Sequence, residues 1–403
     1  MVLVGIVGKP SSGKTTFLNA ACLTDAKTAP YPFTTVKPNH GVSYVRVNCV
    51  CKELGVEDNP QNSVCIDGVR RIPVEVLDVA GLVPDAWKGK GLGNKFLDDL
   101  RNADALIHVV DATGSLNAEG EQIELGEWDP LTDVEFLEHE ISMWLSEIIQ
   151  RDWARIARRG ETERESLAEL LSEKLSGLKI TQAHLTEALK KSGLNLSQPT
   201  KWNNDELISF AHHIREVAKP IVLAANKVDI PVALQKFEQL QLKVGPENVL
   251  AVSSFGELIL RRLAEKELIT YTPGDPNFET LKEAGIQDNY KKALQTIKKN
   301  VLAIFGSTGV QATLNKVIFD VLDVIVVYPV ADTSKFADND GNVLPDAYLV
   351  PRGSTARDLA KMVHEDLAET FIHAIDARRN RRLAEDYILQ NADIIKIVAA
   401  GGR

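Results

Sequence analysis

The sequence has few cysteines and no excess of positive charge. Four cysteines among 403 residues are too few for a disulfide-built scaffold and predict reduced thiols in a cytoplasmic protein. The formal net charge is −10, which excludes non-specific binding of nucleic acid through an overall positive field and leaves room only for a local basic surface. We therefore expect no DNA partner.

Long apolar runs are also missing from the sequence. No stretch predicts a helix that crosses a bilayer, and the chain begins with a strand-like run, residues 2–7, rather than a charged leader. We therefore expect no membrane partner. The hydrophobic content of 44% and the charged content of 25% are typical of a globular protein, and 403 residues predict two or three domains.

Three of the four cysteines lie close together in the sequence, at Cys49, Cys51 and Cys65. Thiolates can hold zinc, but this spacing fits no common zinc motif and no histidine partner is evident. We therefore interpret these residues as structural thiols.

A glycine-rich loop between a strand and a helix predicts a phosphate site. Residues 8–15 have the pattern G-x-x-x-x-G-K-[ST], after an apolar strand and before an apolar-periodic helix. The glycines let successive N–H groups converge on phosphate oxygens, the lysine places a charge between the β- and γ-phosphates, and the threonine hydroxyl can bind Mg²⁺. The predicted nucleotide-binding residues of this loop are Gly8, Ser11, Ser12, Gly13, Lys14, Thr15 and Thr16.

A second motif predicts the base. A buried-strand run ends in Asn226, Lys227 and Asp229, where Asn226 would tie the base loop to the phosphate loop and the Lys227 stem would lie over the purine. The Asp229 carboxylate can accept from N1–H and the 2-amino group of guanine. Adenine offers neither donor, so the carboxylate would stay unpaired when adenine binds. This would weaken binding by about 1–3 kcal/mol. A further strand ends in Ser253 and Ser254, where a backbone N–H can bind guanine O6.

Two segments predict nucleotide-dependent switches. Thr34 and Thr35 lie in a proline-flanked loop suited to reach Mg²⁺ in one nucleotide state. A strand then ends in the D-x-x-G pattern, in which Asp78 would hold a metal-bound water and the Gly81 amide would sense the γ-phosphate. The predicted catalytic residues are Lys14, Thr35 and Gly81, and the predicted metal-binding residues are Thr15, Thr35 and Asp78.

The pattern divides the chain into three parts. Residues 1–128 and 218–320 predict an α/β nucleotide-binding domain, and residues 129–217 predict an amphipathic α-helical insertion that forms a hairpin or small bundle. Residues 321–403 predict a β-grasp domain, in which a capping box opens a helix between strands. This last part carries a local basic turn that can touch phosphates, made of Arg378, Arg379, Arg381 and Arg382.

These motifs together resemble a known family. The segments "GKPSSGKTT", "YPFTTVKPN", "DVAGLVPDAWKGKGLGN" and "NKVD" are similar to the Obg superfamily of GTPases. Within it they resemble the YchF-type branch, in its archaeal and eukaryotic subgroup that retains N-K-x-D, and the C-terminal part resembles a TGS domain. The resemblance implies a P-loop G domain with a mixed sheet and helices on both faces, Mg²⁺ as cofactor, and contact with the ribosome or structured RNA through the TGS domain.

Two positions depart from what is common among GTPases. Leu82 follows the D-x-x-G motif and cannot orient a water, which the resemblance explains because members of this family carry a hydrophobic residue there. We therefore expect slow hydrolysis that depends on a backbone amide, an ion or a partner. Ser11 stands where the family usually has an Asn that helps to hold potassium, so stimulation by K⁺ is left open.

Three functions remain open at this point. The first is a GTPase that binds GTP and GDP and acts as a translation-associated switch, which we expect to be a monomer. The second is an ATPase, because typical YchF proteins have lost N-K-x-D and prefer ATP. The third is an RNA- or ribosome-binding module that nucleotide only stabilises. The retained Asn226, Lys227 and Asp229 favour the first.

Overall fold

The structure is a computed structural model, and it describes residues 2–22, 40–79, 99–163 and 165–400. Four predicted switch residues lie outside the described residues, namely Thr34, Thr35, Gly81 and Leu82.

A seven-stranded mixed sheet positions the site. Five neighbouring strands are parallel, in the order β4-β1-β5-β6-β7, and β2 and β3 both pair antiparallel with β4. Parallel strands covered on both faces are mostly apolar, as in β5, where every residue is buried and only His108 and Asp111 are polar. The strands are β1 Leu3–Val7, β2 His40–Asn48, β3 Val64–Ile66, β4 Val69–Asp78, β5 Ala105–Asp111, β6 Ile221–Asn226 and β7 Val249–Val252. This arrangement confirms the predicted P-loop fold.

The carboxyl ends of the parallel strands meet at one edge of this sheet. The phosphate loop follows β1 and leads into helix α1, Lys14–Cys22, and the base motif follows β6. A short helix α2, Val50–Leu54, joins β2 to the β3–β4 hairpin. Ligand sites of open α/β sheets lie at this edge because the loops that leave parallel strands converge there.

Amphipathic helices fill the chain between β5 and β6. The first begins with a capped turn, in which the Asp129 side chain accepts from the Leu131 N–H and Pro130 occupies the first helical position. Its predicted apolar face is buried, and the core that it forms continues into the sheet through Leu3 and Leu106. The helices are α3 Pro130–Gln150, α4 Trp153–Arg158, α5 Leu167–Leu175, α6 Gln182–Ser192 and α7 Asn204–Ala218.

The chain after β6 returns to the sheet and then adds short elements beside it. Two of them, β8 and β9, form a two-stranded sheet of their own. The elements are α8 Val232–Val244, α9 Ser254–Glu265, β8 Ile269–Thr270, β9 Glu279–Thr280, α10 Asp288–Thr296, α11 Ala303–Phe305 and α12 Val310–Asn315.

One helical stretch of the described chain, Asp288–Val321, is long and apolar enough to cross a membrane by length and composition alone. The sequence had not suggested such a run, because several short helical segments add up to this length. Half of its most apolar window is buried inside the protein, and Gly306 and Gly309 interrupt it with positive φ values of 72° and 83°. A core helix has the same composition, so the stretch does not by itself predict a membrane span.

The C-terminal part forms a five-stranded sheet in the order β11-β10-β14-β12-β13. Thr355 opens its longer helix with the predicted capping box, because its hydroxyl accepts from the Asp358 N–H and the Asp358 carboxylate accepts from the Thr355 N–H. The elements are β10 Val324–Val330, β11 Tyr348–Pro351, α13 Ala356–Val363, α14 Glu365–Glu369, β12 Phe371–Asp376, β13 Arg381–Leu383 and β14 Asp393–Ala399. The exact domain boundaries stay a prediction.

Candidate nucleotide-binding site

The loop between β1 and α1 has a backbone that only glycine tolerates at its two ends. Gly8 and Gly13 have φ values of 144° and 103°, and Ser11 also lies in the positive region at 62°. A Cβ on Gly8 would lie 2.4 Å from the Val109 carbonyl oxygen, and one on Gly13 would lie 2.2 Å from Asn226 Nδ2. The two glycines are therefore required by packing as well as by conformation.

The predicted phosphate-binding lysine, Lys14, makes a hydrogen bond within the loop. Lys14 Nζ donates to the Lys9 carbonyl oxygen over 2.9 Å. Burial lowers the pKa of Lys14, and the Asp78 carboxylate opposes that shift. Ser12 is fully buried, whereas Ser11 and Thr15 are exposed and Thr16 is half-buried. The loop therefore presents both exposed hydroxyls and a positive charge at the start of a helix, where anions bind.

The two described residues predicted to bind metal are in direct contact. The Thr15 hydroxyl, at the start of α1, donates to Asp78 Oδ2, at the end of β4, over 2.7 Å. Both are oxygen donors, which Mg²⁺ prefers, and they meet beside the phosphate loop. This donor set fits a magnesium ion. Thr35, the third predicted ligand, lies outside the described residues.

The structure brings the base motif to the phosphate loop. Asn226 is buried at the end of β6, and its Nδ2 donates to the Ser12 carbonyl oxygen over 3.0 Å. Its Oδ1 accepts from the Ser254 N–H over 3.1 Å. The Asn226 side chain therefore connects three loops at the carboxyl edge of the sheet.

Hydrogen bonds from two neighbouring side chains fix the position of Asp229. Ser253 donates its hydroxyl to Asp229 Oδ1 over 2.7 Å, and the same oxygen of Ser253 accepts from the Gly256 N–H at the start of α9. Asn300 Nδ2 donates to the Asp229 carbonyl oxygen over 3.1 Å. These contacts orient a carboxylate that is itself only half-buried.

Ser253 and Ser254 differ from their expected role. The Ser253 N–H donates to the Thr308 carbonyl oxygen over 2.9 Å, and the Ser254 N–H donates to Asn226. Neither amide is therefore available for guanine O6 in this arrangement. The two serines instead support the side chains of Asp229 and Asn226.

Lys227 is anchored by a residue that the sequence motifs did not single out. Lys227 Nζ lies 3.1 Å from Oδ2 of Asp111, which ends β5 and pairs in register with Asn226. Burial alone would raise the pKa of Asp111, but hydrogen bonds from Thr113 and Ser115 and the charge of Lys227 outweigh it and hold this pKa low. The sequence did contain a signal for this contact, because Asp111 ends a buried strand, as Asn226 of the base motif does.

Lys9 forms a second contact that sequence reasoning missed. Its Nζ lies 2.8 Å from Asp133 Oδ2 in α3 and donates to the Leu116 carbonyl oxygen over 2.8 Å. The ammonium group also lies 4.9 Å from the centre of the Trp128 ring, whose Nε1 donates to Asp133 Oδ1. This buried ion pair connects the phosphate loop to the helices between β5 and β6. No local signal predicts it, because Lys9 occupies a variable position of the motif.

Known proteins resemble the chain along its whole length. Residues 3–137 match the family described as 50S ribosome-binding GTPase, residues 224–332 match the G4 motif-containing domain of the YGR210-like Obg-like GTPases, and residues 339–399 match the TGS domain. A GTP-binding protein of Methanocaldococcus jannaschii is 47% identical over 99% of this chain and 100% of its own length. The chain belongs to the YchF-type branch of the Obg-like GTPases. The ribosome-binding ATPase YchF of Bacillus subtilis is 25% identical over 97% of each chain.

Solved structures share the fold of this chain. The crystal structure of a GTP-binding protein from Pyrococcus horikoshii OT3 matches with a TM-score of 0.78 and 40% identity, over 99% of this chain and 100% of that one. The YchF GTPase of Schizosaccharomyces pombe matches with a TM-score of 0.58 at 17% identity, over 98% of this chain and 97% of that one, and so shares the fold. The family and fold expected from the sequence are thus confirmed, and the roles of single site residues stay predictions.

Proposed function

We propose that this YchF-type protein is a cytoplasmic, Mg²⁺-dependent GTP-binding protein that hydrolyses GTP slowly and acts as a translation-associated switch. The observation that carries the proposal is the hydrogen bond from Asn226 to Ser12. It joins the base motif and the phosphate loop into one site that suits a purine nucleoside triphosphate. The relatives from Methanocaldococcus jannaschii and Pyrococcus horikoshii are both named as GTP-binding proteins, which supports guanine.

Guanine is the base that satisfies Asp229. Ser253 donates to one oxygen of the carboxylate and fixes its direction. The carboxylate can then accept from N1–H and the 2-amino group of guanine, whereas an adenine ring would leave a charged acceptor unpaired. Lys227, held by Asp111, would place its stem along the purine face.

The phosphates would be bound by the loop and by magnesium. Thr15 and Asp78 would hold the ion, directly or through water, and the ion supplies positive charge to the β- and γ-phosphates when bound. Lys14 would leave the Lys9 carbonyl oxygen and donate to the phosphates instead. The N–H groups at the start of α1 complete this anion site.

Hydrolysis converts GTP and water to GDP and phosphate. The water attacks the γ-phosphorus in line with the departing GDP oxygen, and Lys14 stabilises the negative charge that develops. We propose that Thr35 and the Gly81 amide complete the site. Leu82 cannot orient the water, so turnover stays slow until a partner contributes a group, a gain of about 10³–10⁵ where an arginine is supplied in trans. A potassium role stays open because of Ser11.

Ribosome contact is proposed for the TGS domain. The Bacillus subtilis relative is named a ribosome-binding ATPase, and the basic turn of this chain exposes Arg379, Arg381 and Arg382. Arg378 belongs to the same turn but contacts Glu53 and the Ala392 carbonyl oxygen, so three arginines rather than four face outward to meet RNA phosphates. We propose that the protein does this as a monomer.

An ATPase is the second candidate, favoured by the name of the Bacillus subtilis relative. Competition between GTP and ATP for the purified protein, followed by turnover of each with and without ribosomes, tests both. We expect GTP to compete far better than ATP and ribosomes to raise GTP turnover, and a Lys14→Gln control to lack turnover in every condition. Preferential ATP binding would overturn the guanine assignment. If GTP turnover stays at background in the presence of ribosomes, the protein is not a GTPase switch, and the remaining function is a ribosome- or RNA-binding module that nucleotide only stabilises.

A further inference from the structure

Away from the nucleotide site, three thiols and a carboxylate converge on one point. The Sγ atoms of Cys49, Cys51 and Cys65 and a carboxylate oxygen of Asp58 all lie within 4.8 Å of one another. Cys49 and Cys51 are buried, and Cys65 and Asp58 are half-buried. The proposed nucleotide chemistry uses none of these four side chains.

The local fold holds the four groups in place. Cys49 precedes α2 and Cys51 lies in its first turn, and the helix stops at Gly55, whose φ of 64° reverses the chain toward Asp58. Cys65 is the central residue of β3 and pairs with Arg70 of β4. The Cys49 N–H donates to the carbonyl oxygen of the β3–β4 turn over 2.8 Å, which fastens the start of the helix to the hairpin.

Two distances within the cluster are close to those around a tetrahedral zinc ion, and the remaining ones do not exceed 4.8 Å. Cys51 Sγ and Cys65 Sγ are 3.8 Å apart, and Cys49 Sγ and Asp58 Oδ2 are 3.2 Å apart. Tetrahedral zinc with Zn–S bonds of about 2.3 Å sets sulfur atoms about 3.8 Å apart and a sulfur and an oxygen about 3.5 Å apart. We propose that Cys49, Cys51, Cys65 and Asp58 form a structural zinc site. The spacing did not suggest it because the ligands come from a helix, a loop and a strand.

The surroundings support a site that carries negative ligands. The Arg70 side chain is fully buried, its Nη1 lies 3.4 Å from Asp58 Oδ2, and its Nη2 donates to the Leu344 carbonyl oxygen. An outer cation of this kind orients a ligand carboxylate and reduces the net negative charge of three thiolates and a carboxylate around Zn²⁺.

A zinc ion here would fasten the hairpin to the C-terminal part of the chain. The loop that carries Asp58 continues to Asn59 and Gln61, whose N–H groups donate to the carbonyl oxygens of Val343 and Pro345 over 2.8 and 2.6 Å. Because metal affinity adds to the free energy of folding, removal of zinc should loosen this junction before it affects the nucleotide site.

Titration with Co²⁺ tests the site. The full-length protein is first reduced and stripped of metal with a chelator, and the titration is carried out in the presence of excess Mg²⁺ and GDP. Excess Mg²⁺ and GDP occupy the oxygen ligands of the nucleotide site. We expect a thiolate-to-cobalt charge-transfer band and intense visible bands of tetrahedral cobalt, which saturate at one ion per chain and vanish when Zn²⁺ is added. Bound metal should protect the three thiols of the cluster from an alkylating reagent and leave the reaction of Cys22 unchanged.

Two variants of the proposed ligands and one control variant separate this site from other thiol chemistry. Cys65→Ser should lose the charge-transfer band and the stoichiometric zinc, and the matched control Cys22→Ser should keep both. Asp58→Asn, which leaves all thiols in place, should keep the charge-transfer band and shift the visible bands, and so remains informative if Cys65→Ser does not fold. The proposal is overturned if wild-type protein shows no thiolate-to-cobalt band, if Cys65→Ser retains it, or if protein grown with zinc and purified without reductant contains a Cys51–Cys65 disulfide.

Discussion

Asn226 Nδ2 and the Ser12 carbonyl oxygen are 3.0 Å apart, and this hydrogen bond links two segments separated by more than two hundred residues. The same side chain accepts from the Ser254 N–H. One amide group therefore fixes the phosphate loop against the base motif, at a point where both are buried.

Replacement of Asn226 by Ala should weaken nucleotide binding and folding together. It leaves a buried carbonyl and a buried N–H without partners, at about 1–3 kcal/mol each. We expect the Kd for GDP to rise by about tenfold or more, since 1.4 kcal/mol corresponds to tenfold, with a lower Tm. Fluorescent GDP titration and thermal unfolding measure the two effects. Asn248→Ala, which removes an exposed amide, is the control, and equal GDP affinity in both variants would contradict the assignment.

Replacement of Asp229 by Asn should change the base that is preferred. The amide retains an oxygen for the Ser253 hydroxyl, so the fold is kept, but it offers a donor where guanine also offers donors. We expect GTP affinity to fall by about tenfold or more and xanthosine triphosphate to bind better than GTP. Competition between the two nucleotides measures the ratio, and a ratio equal to that of the wild type would show that Asp229 does not read the base.

The phosphate loop and the base strand could be predicted because each motif carries its context within a few residues. The strand before Gly8, the helix after Lys14 and the strand before Asn226 all lie where periodicity placed them. Short elements without a full period were not predicted, such as the three-residue strand Arg381–Leu383.

Contacts between distant residues could not be predicted in the same way. Lys9 and Asp133 are 124 positions apart, and neither lies at a defined position of a motif. A backbone N–H at Ser253 or Ser254 was expected to bind the base, but the partner of a backbone N–H depends on which strand end or loop packs beside it, here Thr308 and Asn226. The convergence of Cys49, Cys51 and Cys65 was not predicted, because sequence spacing does not measure distance across a hairpin.

The buried pair of Lys9 and Asp133 should be important for stability. Asp133→Asn leaves the Lys9 ammonium group buried without its counter-charge, and loss of one partner of a buried pair costs about 3–5 kcal/mol. Urea unfolding measures the change. The double variant Lys9→Met with Asp133→Leu should recover much of the loss, because no charge is then buried. Glu147→Gln, which breaks the exposed pair with Arg151, is the control and should change stability little.

His108 lies beneath the phosphate loop, in register with Val7 of β1. It is almost completely buried, and its Nδ1 has no hydrogen-bond partner among the residues that the structure describes. Burial lowers the pKa of His108 to about 3, and the charges of Lys14 and Lys9 contribute to the same shift. The imidazole therefore stays neutral in the folded protein over most of the acidic range.

This shift predicts a loss of stability in mild acid. Below the ordinary His pKa of 6.5 the imidazole is protonated in the unfolded chain, whereas in the folded protein it stays neutral down to about pH 3. The free energy of unfolding therefore decreases as the pH is lowered from 6.5 to about 3. One proton corresponds to about 1.4 kcal/mol per pH unit, or about 2 kcal/mol at pH 5. Urea unfolding at pH 7.5 and pH 5 should show that wild-type protein loses about 2 kcal/mol more than His108→Gln, which cannot titrate. Equal losses in the two proteins would mean that His108 accepts a proton in the folded state and that its burial does not suppress ionisation.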